Sequence, residues 1–596
     1  MSSLMRDTPV GQFVRLVTRN RMLQYPEEKA DFQLPDAQLK VVNSDKTEYS
    51  SSSTCQSDAS TLCPLDEKTQ VEKIDEETLP SQSTTSVGTE SPAETLSNAK
   101  QGSTDDIEQA IEKIKSIPIV PRRTEDGTIL VDWYSTDDPE NPQNWANSRR
   151  LMVAIVLCLY TFVVYTSSAI YINSQEGVMN EFGVTATEAS LGLALFVLGY
   201  GVGPLLWSPM SELPSVGRNP VYFWTMFAFV ILSIPTALVT NYPGLMVLRF
   251  LQGFFGSPCL ANGGASLGDL YNDMQFPYAL IAWVSAGYCG PALGPLLSGF
   301  SVPVLGWRWS LLEILFAGSA VFLVMFALLP ETSSATLLLR RAQRLRRLTG
   351  NPALLSQSEI DQRGMTSRAI FVDALIKPLE ITLKDPAILF VQLYTAVVYA
   401  TYYSFFESFP LVYPVYYGMT AGQLGLVFLS ILVACLLGAT LYAAYLHFYM
   451  NPRVRAQGAP APERRLVPAL VAAFGPTVGL FIFAWTARPD IHWVVPTVGI
   501  TLYGAAVFVV FQCIFVYVPT SYPKYAASLF AGNDFFRSAL AFAAVLFAPP
   551  LFKDLGVARG NSLLGGLSVV GILGIWTLYI FGARLRSMSK FAIFEE

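Results

Sequence analysis

From Leu151 onward apolar residues run in long, nearly unbroken segments, whereas the first 150 residues are interrupted by charge, serine, threonine and proline. A helix crosses a bilayer core with about 20 apolar residues. That length predicts spans near 151–171, 188–208, 219–240, 243–265, 277–301, 309–330, 386–408, 420–448, 466–487, 494–518, 525–549 and 562–582. Twelve spans put both termini on one side, and the 55-residue connection 331–385 divides them six and six. The expected fold class is all-α integral membrane, with six-helix halves at 151–330 and 386–582. Around them lie an acidic, largely disordered leader at 1–150, a basic central loop at 331–385 and a short tail at 583–596.

Within the leader, Arg6, Arg15, Arg19 and Arg21 alternate with Val10, Phe13, Val14 and Val17, a pattern open to a basic amphipathic helix on a membrane surface or to an unstructured basic end. Between Asn43 and Asp106 more than a third of the residues are Ser or Thr. Such a stretch buries too little apolar area to offset chain entropy and is expected to be disordered. The stretch Asp137-Asp138-Pro139-Glu140-Asn141-Pro142-Gln143-Asn144-Trp145 then breaks helix twice and is expected to deliver its Trp to the membrane interface.

Charge sharpens this division. Residues 1–150 hold 16 Lys and Arg against 26 Asp and Glu, a net of -10, and the other 446 hold 24 against 20, a net of +4. Those 44 charges are too few for the surface of a soluble protein of that length, which excludes a soluble enzyme. No Gly-Lys dipeptide occurs, so the phosphate loop of an ATP-driven pump is missing. Five of the seven cysteines fall in apolar runs and two in the polar leader, so no disulfide framework is expected. His447 and His492 are isolated at span ends, and no metal, cofactor or integral-membrane enzyme site is expected. The first apolar run begins at Leu151, so insertion is expected to use an internal segment.

With both termini placed inside, the inner connections carry 18 cations and the outer loops four, Arg308, Arg488, Lys553 and Arg559. This asymmetry predicts cytoplasmic termini. The run Arg340-Arg341-Ala342-Gln343-Arg344-Leu345-Arg346-Arg347 reads as a topology anchor and membrane-surface helix, not as a nucleic-acid site. The two remaining cations, Arg249 and Arg537, lie within spans.

Three patterns in the first half carry mechanism. Gly203-Pro204-Leu205-Leu206-Trp207-Ser208-Pro209-Met210-Ser211-Glu212 and Gly217-Arg218-Asn219-Pro220 form a tight turn with an acid, a base and a flexible glycine. Leu248-Arg249-Phe250-Leu251-Gln252-Gly253 puts a cation roughly 9 Å into the fourth span, where it needs a partner or a wet cavity. In the fifth span Ala282, Ala286, Gly290, Gly294 and Ser298 recur every four residues, a small-residue stripe roughly 24 Å long against which another helix can pack closely. Pro291 and Pro295 bend the same helix.

The turn resembles the signature loop of the major facilitator superfamily, in the Ser-Glu and Gly-Arg form of fungal drug:proton antiporters. The resemblance implies a twelve-helix major facilitator fold and a cytoplasmic latch. In that latch Glu212 meets the positive end of the eleventh helix, and Arg218, following Gly217, pairs with Asp269. Arg249 and Gly253 match the family's fourth-span Arg-x-x-x-Gly pattern, which implies proton coupling for Arg249; a structural interhelix arginine is the other reading. Gly287-Tyr288-Cys289-Gly290-Pro291-Ala292-Leu293-Gly294-Pro295 looks like the antiporter motif, with proline where many members have a further glycine.

The second half is less explicit. Tyr394, Tyr399, Tyr402, Tyr403, Phe405 and Phe406 crowd the seventh span. Their aromatic faces and phenol tips suit planar, amphipathic or cationic ligands, which makes Tyr399, Tyr402, Tyr403 and Phe406 the expected cavity wall. Glu407 is placed near the outer mouth, as an interfacial carboxylate or a proton carrier. Asp534 and Arg537 stand three apart, roughly 14 Å past Tyr525, and either staple helices or exchange partners during transport. Asn533-Asp534-Phe535-Phe536-Arg537 resembles the Asn-Asp-x-x-Arg stretch of the same fungal antiporters, and the resemblance extends across 145–590. It implies a monomeric plasma-membrane exporter of hydrophobic or amphipathic drugs, azole or benzimidazole in type, driven by protons entering as substrate leaves. An exporter dedicated to one endogenous metabolite is the alternative.

Overall fold

The structure, a computed structural model of the chain, describes residues 5–35, 39, 116–124, 126–363, 372, 376, 379–458, 460–522 and 525–589. The stretch 43–106 lies outside the described residues, as do Arg368, Lys377, Lys524 and Lys590, which entered the inner cation count.

Eleven helical segments are long and apolar enough to span a membrane. In chain order they are α1 Asn147–Ala169, α2 Ala186–Glu212, α3 Arg218–Leu238, α4 Tyr242–Leu270, α5 Phe276–Leu305, α6 Arg308–Leu328, α7 Pro386–Tyr417, α8 Ala421–Gln457, α9 Pro462–Thr486, α10 Val494–Ser521 and a final segment, Ala526–Met588. Gly556, at φ 77° and ψ 158°, breaks that last segment into α11, 526–555, and α12, 557–588. These are 30 and 32 residues by subtraction, each about 45 Å of helix and long enough to cross. Among the described residues the spans therefore number twelve.

Local chemistry sets the helix ends. Thr185 with Glu188 and Thr420 with Gln423 form reciprocal capping boxes that start α2 and α8. The Asp385 side chain caps α7 by accepting from Ala387 N and Ile388 N. Ser257 and Pro258 interrupt α4 into Tyr242–Gly256 and Pro258–Leu270, because proline supplies no backbone donor. The small-residue stripe of α5 packs on α1: a Cβ on Gly290 would lie 2.7 Å from Thr166 N, and one on Gly294 would lie 2.9 Å from Ile170 N.

The described chain divides into two units, one of which, Met1–Tyr25 with Trp145–Leu339 and Ser358–Glu596, holds every span. Trp145 is buried in it, with the Arg149 guanidinium 3.6 Å from its ring centroid, and so does not serve the interface as expected.

The second unit, Pro26–Asn144 with Arg340–Gln357, is built around β1, Ile129–Leu130, paired in parallel with β2, Leu354–Leu355. Ile129, Val131, Ala342, Leu345 and Leu354 form its core. Here the membrane-surface reading of the arginine run is corrected. Arg341 is 1% exposed and donates to Asp138 Oδ2 at 2.7 Å and Glu140 Oε2 at 3.0 Å, and Arg344 Nε donates to Glu27 Oε2 at 3.0 Å. The acidic lead-in neutralises these arginines within a folded unit. Burial pushes the Asp138 carboxyl up, but the Arg341 guanidinium and the Tyr134 and Glu140 N–H groups together hold it below its usual range.

Candidate functional site

Where α2 turns into α3, Gly217 takes φ 85°, a left-handed value open to glycine, and a Cβ there would collide with the Glu331 carboxylate. Glu331 Oε1 accepts the Arg218 N–H at 3.1 Å and Oε2 the Asn219 N–H at 3.2 Å, so this acid just past α6 caps the start of α3. The Arg218 side chain points the other way, its Nε donating to Asp269 Oδ2 at 2.6 Å. Glu212 reaches the first turn of α11, where Ser528 Oγ donates to its Oε2 at 3.5 Å. Glu212, Gly217, Arg218 and Asp269 thus gather at one end of the bundle, joined by Glu331, whose capping role the sequence reading missed.

Deeper in, a narrow cavity of about 50 Å³ is walled by both sets of six helices. Aromatic residues dominate its lining: Tyr165 from α1, Trp283 and Tyr288 from α5, Tyr399 and Tyr402 from α7, and Phe511 and Phe515 from α10. Gly287 and Pro291 line it too, whereas Gly290 and Gly294 face α1. Tyr402 Oη is buried without a hydrogen-bond partner, a polar tip free to meet a ligand. Tyr403 and Phe406 are not in the lining; Phe406 instead stacks on Phe428, centroids 5.4 Å apart.

Arg537 is the charged residue of the lining. It is paired with the Asp534 carboxylate, donates to Tyr165 Oη at 3.2 Å and lies 4.6 Å from the Tyr399 ring centroid. Asp534 Oδ2 is buried with no hydrogen-bond partner. Tyrosines extend the network between helices. Tyr200 Oη on α2 lies 2.6 Å from Tyr399 Oη and 2.8 Å from Tyr403 Oη, and Tyr403 Oη lies 3.3 Å from Ser168 Oγ on α1. A buried ion pair is thus wired through phenols to helices from both ends of the chain.

The fold has known counterparts. The family profile of the Major Facilitator Superfamily matches residues 157–545. The chain belongs to the Major Facilitator Superfamily. Among relatives of this facilitator, the MFS-type transporter pyvG of Aspergillus violaceofuscus is 51% identical over 472 residues, covering 79% of this chain and 87% of the relative. The cycloheximide resistance protein of Candida maltosa is 38% identical over 78% of this chain and 86% of its own. Fluconazole resistance protein 1 of Saccharomyces cerevisiae is 37% identical over 77% and 84%. Among solved structures, the proton:xylose symporter XylE shares the fold at a TM-score of 0.53 and 12% identity, over 73% of this chain and 96% of that one. The human organic anion transporter MFSD10 does so at 0.51 and 16%, over 72% and 99%. The facilitator is a multi-pass membrane transporter of small molecules.

Two charged groups of the facilitator sit apart from this network. Arg249 is fully buried, yet no carboxylate pairs with it among the described residues. Its Nε donates to Gly192 O at 3.0 Å, Nη2 to Ser167 O at 3.0 Å and Nη1 to Gln252 Oε1 at 3.3 Å, between the rings of Phe196 and Tyr171. It therefore clamps α1 and α2 to α4, and Gly253, pressed on the Phe196 carbonyl, allows that approach. Glu407, in the second half of α7, is turned into the protein. Its Oε1 is buried and unpartnered, and the Gln175 and Ser190 side chains face its carboxylate.

Tyr165, Ser168 and Tyr200 are site residues that sequence reasoning missed. The available signal was a polar aromatic or hydroxyl residue in an apolar run of α1 and α2, which needs a partner when buried.

Proposed function

We propose that this facilitator exports hydrophobic or amphipathic drugs and xenobiotics, azole or benzimidazole in type, across the plasma membrane in exchange for protons. The observation that carries the reading is the Asp534–Arg537 pair set into the wall of an aromatic cavity. Flat rings supply stacking surface without demanding one hydrogen-bond pattern, and the unpaired Tyr402 phenol supplies a single polar handle. Relatives named for cycloheximide and fluconazole resistance support export of such compounds.

Coupling runs through Asp534. Deprotonated, it neutralises Arg537 in a low-dielectric site; protonated, it leaves Arg537 to Tyr165 and the Tyr399 ring, which belong to different helices. The proton thereby gains a different affinity in the inward-open and outward-open forms, which is what alternating access requires. Arg249 holds α1, α2 and α4 as one block during that motion. The latch of Glu212, Arg218 and Asp269 locks the inner side when the cavity faces out.

Expression in a drug-sensitive yeast tests the reading. Resistance to several unrelated azoles and benzimidazoles, abolished by collapsing the proton gradient, is expected. Resistance to none, with export of a single endogenous compound, would replace it with a dedicated metabolite exporter.

A further inference from the structure

Proton-coupled export makes no use of the helix Pro9–Val17. Thr8 starts it, its Oγ1 accepting the Gly11 N–H at 3.2 Å. Beyond its end, Arg19, Asn20 and Leu23 take φ of 51°, 61° and 55°, left-handed values that strain side-chain-bearing residues. What offsets the strain is Tyr25. The turn brings it back to the helix, where its Oη donates to Asp7 Oδ1 at 2.6 Å and its ring lies 4.1 Å from the Arg6 guanidinium and 4.6 Å from that of Arg15. Arg15 Nη1 also donates to Leu23 O at 2.7 Å. Arg6 and Arg15 are buried in this fold-back, while Arg19, Arg21 and Met22 are exposed at its tip.

The fold-back is fastened to the membrane unit. Glu331 N, just past the end of α6, donates to Asp7 O at 3.2 Å, and the helix packs on α6 and α3. Those two spans turn large apolar residues such as Trp224 and Leu323 outward, as lipid-facing helices do. Continuing that exterior, the short helix leaves Phe13, Leu16 and Val17 exposed by 59, 76 and 65%. Spacings of three and four put the three on one helix face.

We infer that this helix is an interfacial anchor: Phe13, Leu16 and Val17 insert among acyl chains at the end of α6, and Arg19 and Arg21 hold anionic lipid headgroups of the adjacent leaflet. Three observations support a bilayer as the occupant. The apolar face continues the lipid-facing surface of α3 and α6, the two exposed cations sit beside it, and the Asp7–Glu331 bond fixes it at the level where a span ends. A consequence resting on the transport reading is that leaflet charge bears on the latch, because Glu331, held by Asp7, caps α3 beside Arg218.

Hydrogen exchange of full-length protein in nanodiscs tests the anchor independently of transport. Amides of residues 9–17 are expected to exchange more slowly with phosphatidylserine present than in phosphatidylcholine alone. Arg19→Gln and Arg21→Gln should each return roughly fivefold of that protection, from about 1 kcal/mol per charge at an anionic surface. Phe13→Ser with Leu16→Ser, both at exposed positions, should abolish protection in either lipid while the spans stay protected. Arg15→Gln, which opens the fold-back itself, sets the unprotected limit. Equal exchange in both lipids, or protection indifferent to the Phe13 and Leu16 changes, would overturn the anchor.

Discussion

Arg537 on α11 donates to the Tyr165 phenol oxygen on α1 at 3.2 Å while remaining paired with Asp534. A cation shared between an acid on its own helix and a neutral acceptor on another can change allegiance when the acid binds a proton. The spare Asp534 oxygen, buried and unpartnered, is where that proton would add.

Tyr165→Phe removes one acceptor from a buried guanidinium, a bond of roughly 1.5–3 kcal/mol because one partner is charged. Efflux of a fluorescent substrate should fall at least about tenfold with surface expression retained, and its pH dependence should shift. An unchanged rate and pH profile would detach the phenol network from coupling.

Gly290→Val or Gly294→Val should block transport while the protein still reaches the membrane. Either side chain would enter the backbone of α1, within 2.7 Å of Thr166 N at position 290 or 2.9 Å of Ile170 N at 294. Wild-type rates in both variants would contradict the close-packing argument.

How much of this was legible in the sequence depended on whether a feature is local. Span lengths are local, and the runs placed all twelve crossings, including the pair that Gly556 separates. The Arg218–Asp269 pairing could be proposed from a recognisable turn, and the structure places the two 2.6 Å apart. The partners of Arg249 could not, because they are the carbonyls of Gly192 and Ser167, which any residue type would supply. Nor could the Arg341–Asp138 pair, formed by residues 203 positions apart, one of them in a run that reads as a topology anchor and membrane-surface helix. Tyr403 and Phe406 show the limit of reading an aromatic face: a helix has more than one, and theirs packs on protein instead of the cavity.

Gly217→Ala should loosen the inner latch. It forces a side chain into a left-handed backbone and against the Glu331 carboxylate, a strain of about 1–3 kcal/mol. Glu331→Gln keeps the volume but weakens the cap of α3. Both should reduce transport and increase labelling of cysteines placed in the α2–α3 turn from the inner side. Unaltered labelling in both would show that the cap does not hold the turn.

The smaller unit should resist acid to about pH 4 and open below it. Asp138 is held below its usual range, so its stabilising contribution is complete above the unfolded value of about 3.9 and is lost as pH falls through the lower folded value. Arg341→Ala leaves the buried Asp138 carboxylate without its arginine partner, a cost of about 3–5 kcal/mol, and should open the unit at neutral pH. Proteolysis within 116–144 and 340–357 reads both; resistance of Arg341→Ala equal to wild type would contradict the ion-pair account.

Proteoliposomes with an imposed pH gradient test the central claim most directly. Wild-type protein should drive a fluorescent azole-type substrate against its concentration gradient, in the direction opposite to proton flow. Asp534→Asn, which cannot exchange a proton yet retains a hydrogen-bonding partner for Arg537, should bind substrate but equilibrate it without regard to the gradient. Gradient-driven accumulation by Asp534→Asn at the wild-type rate would place the coupling elsewhere and contradict the account.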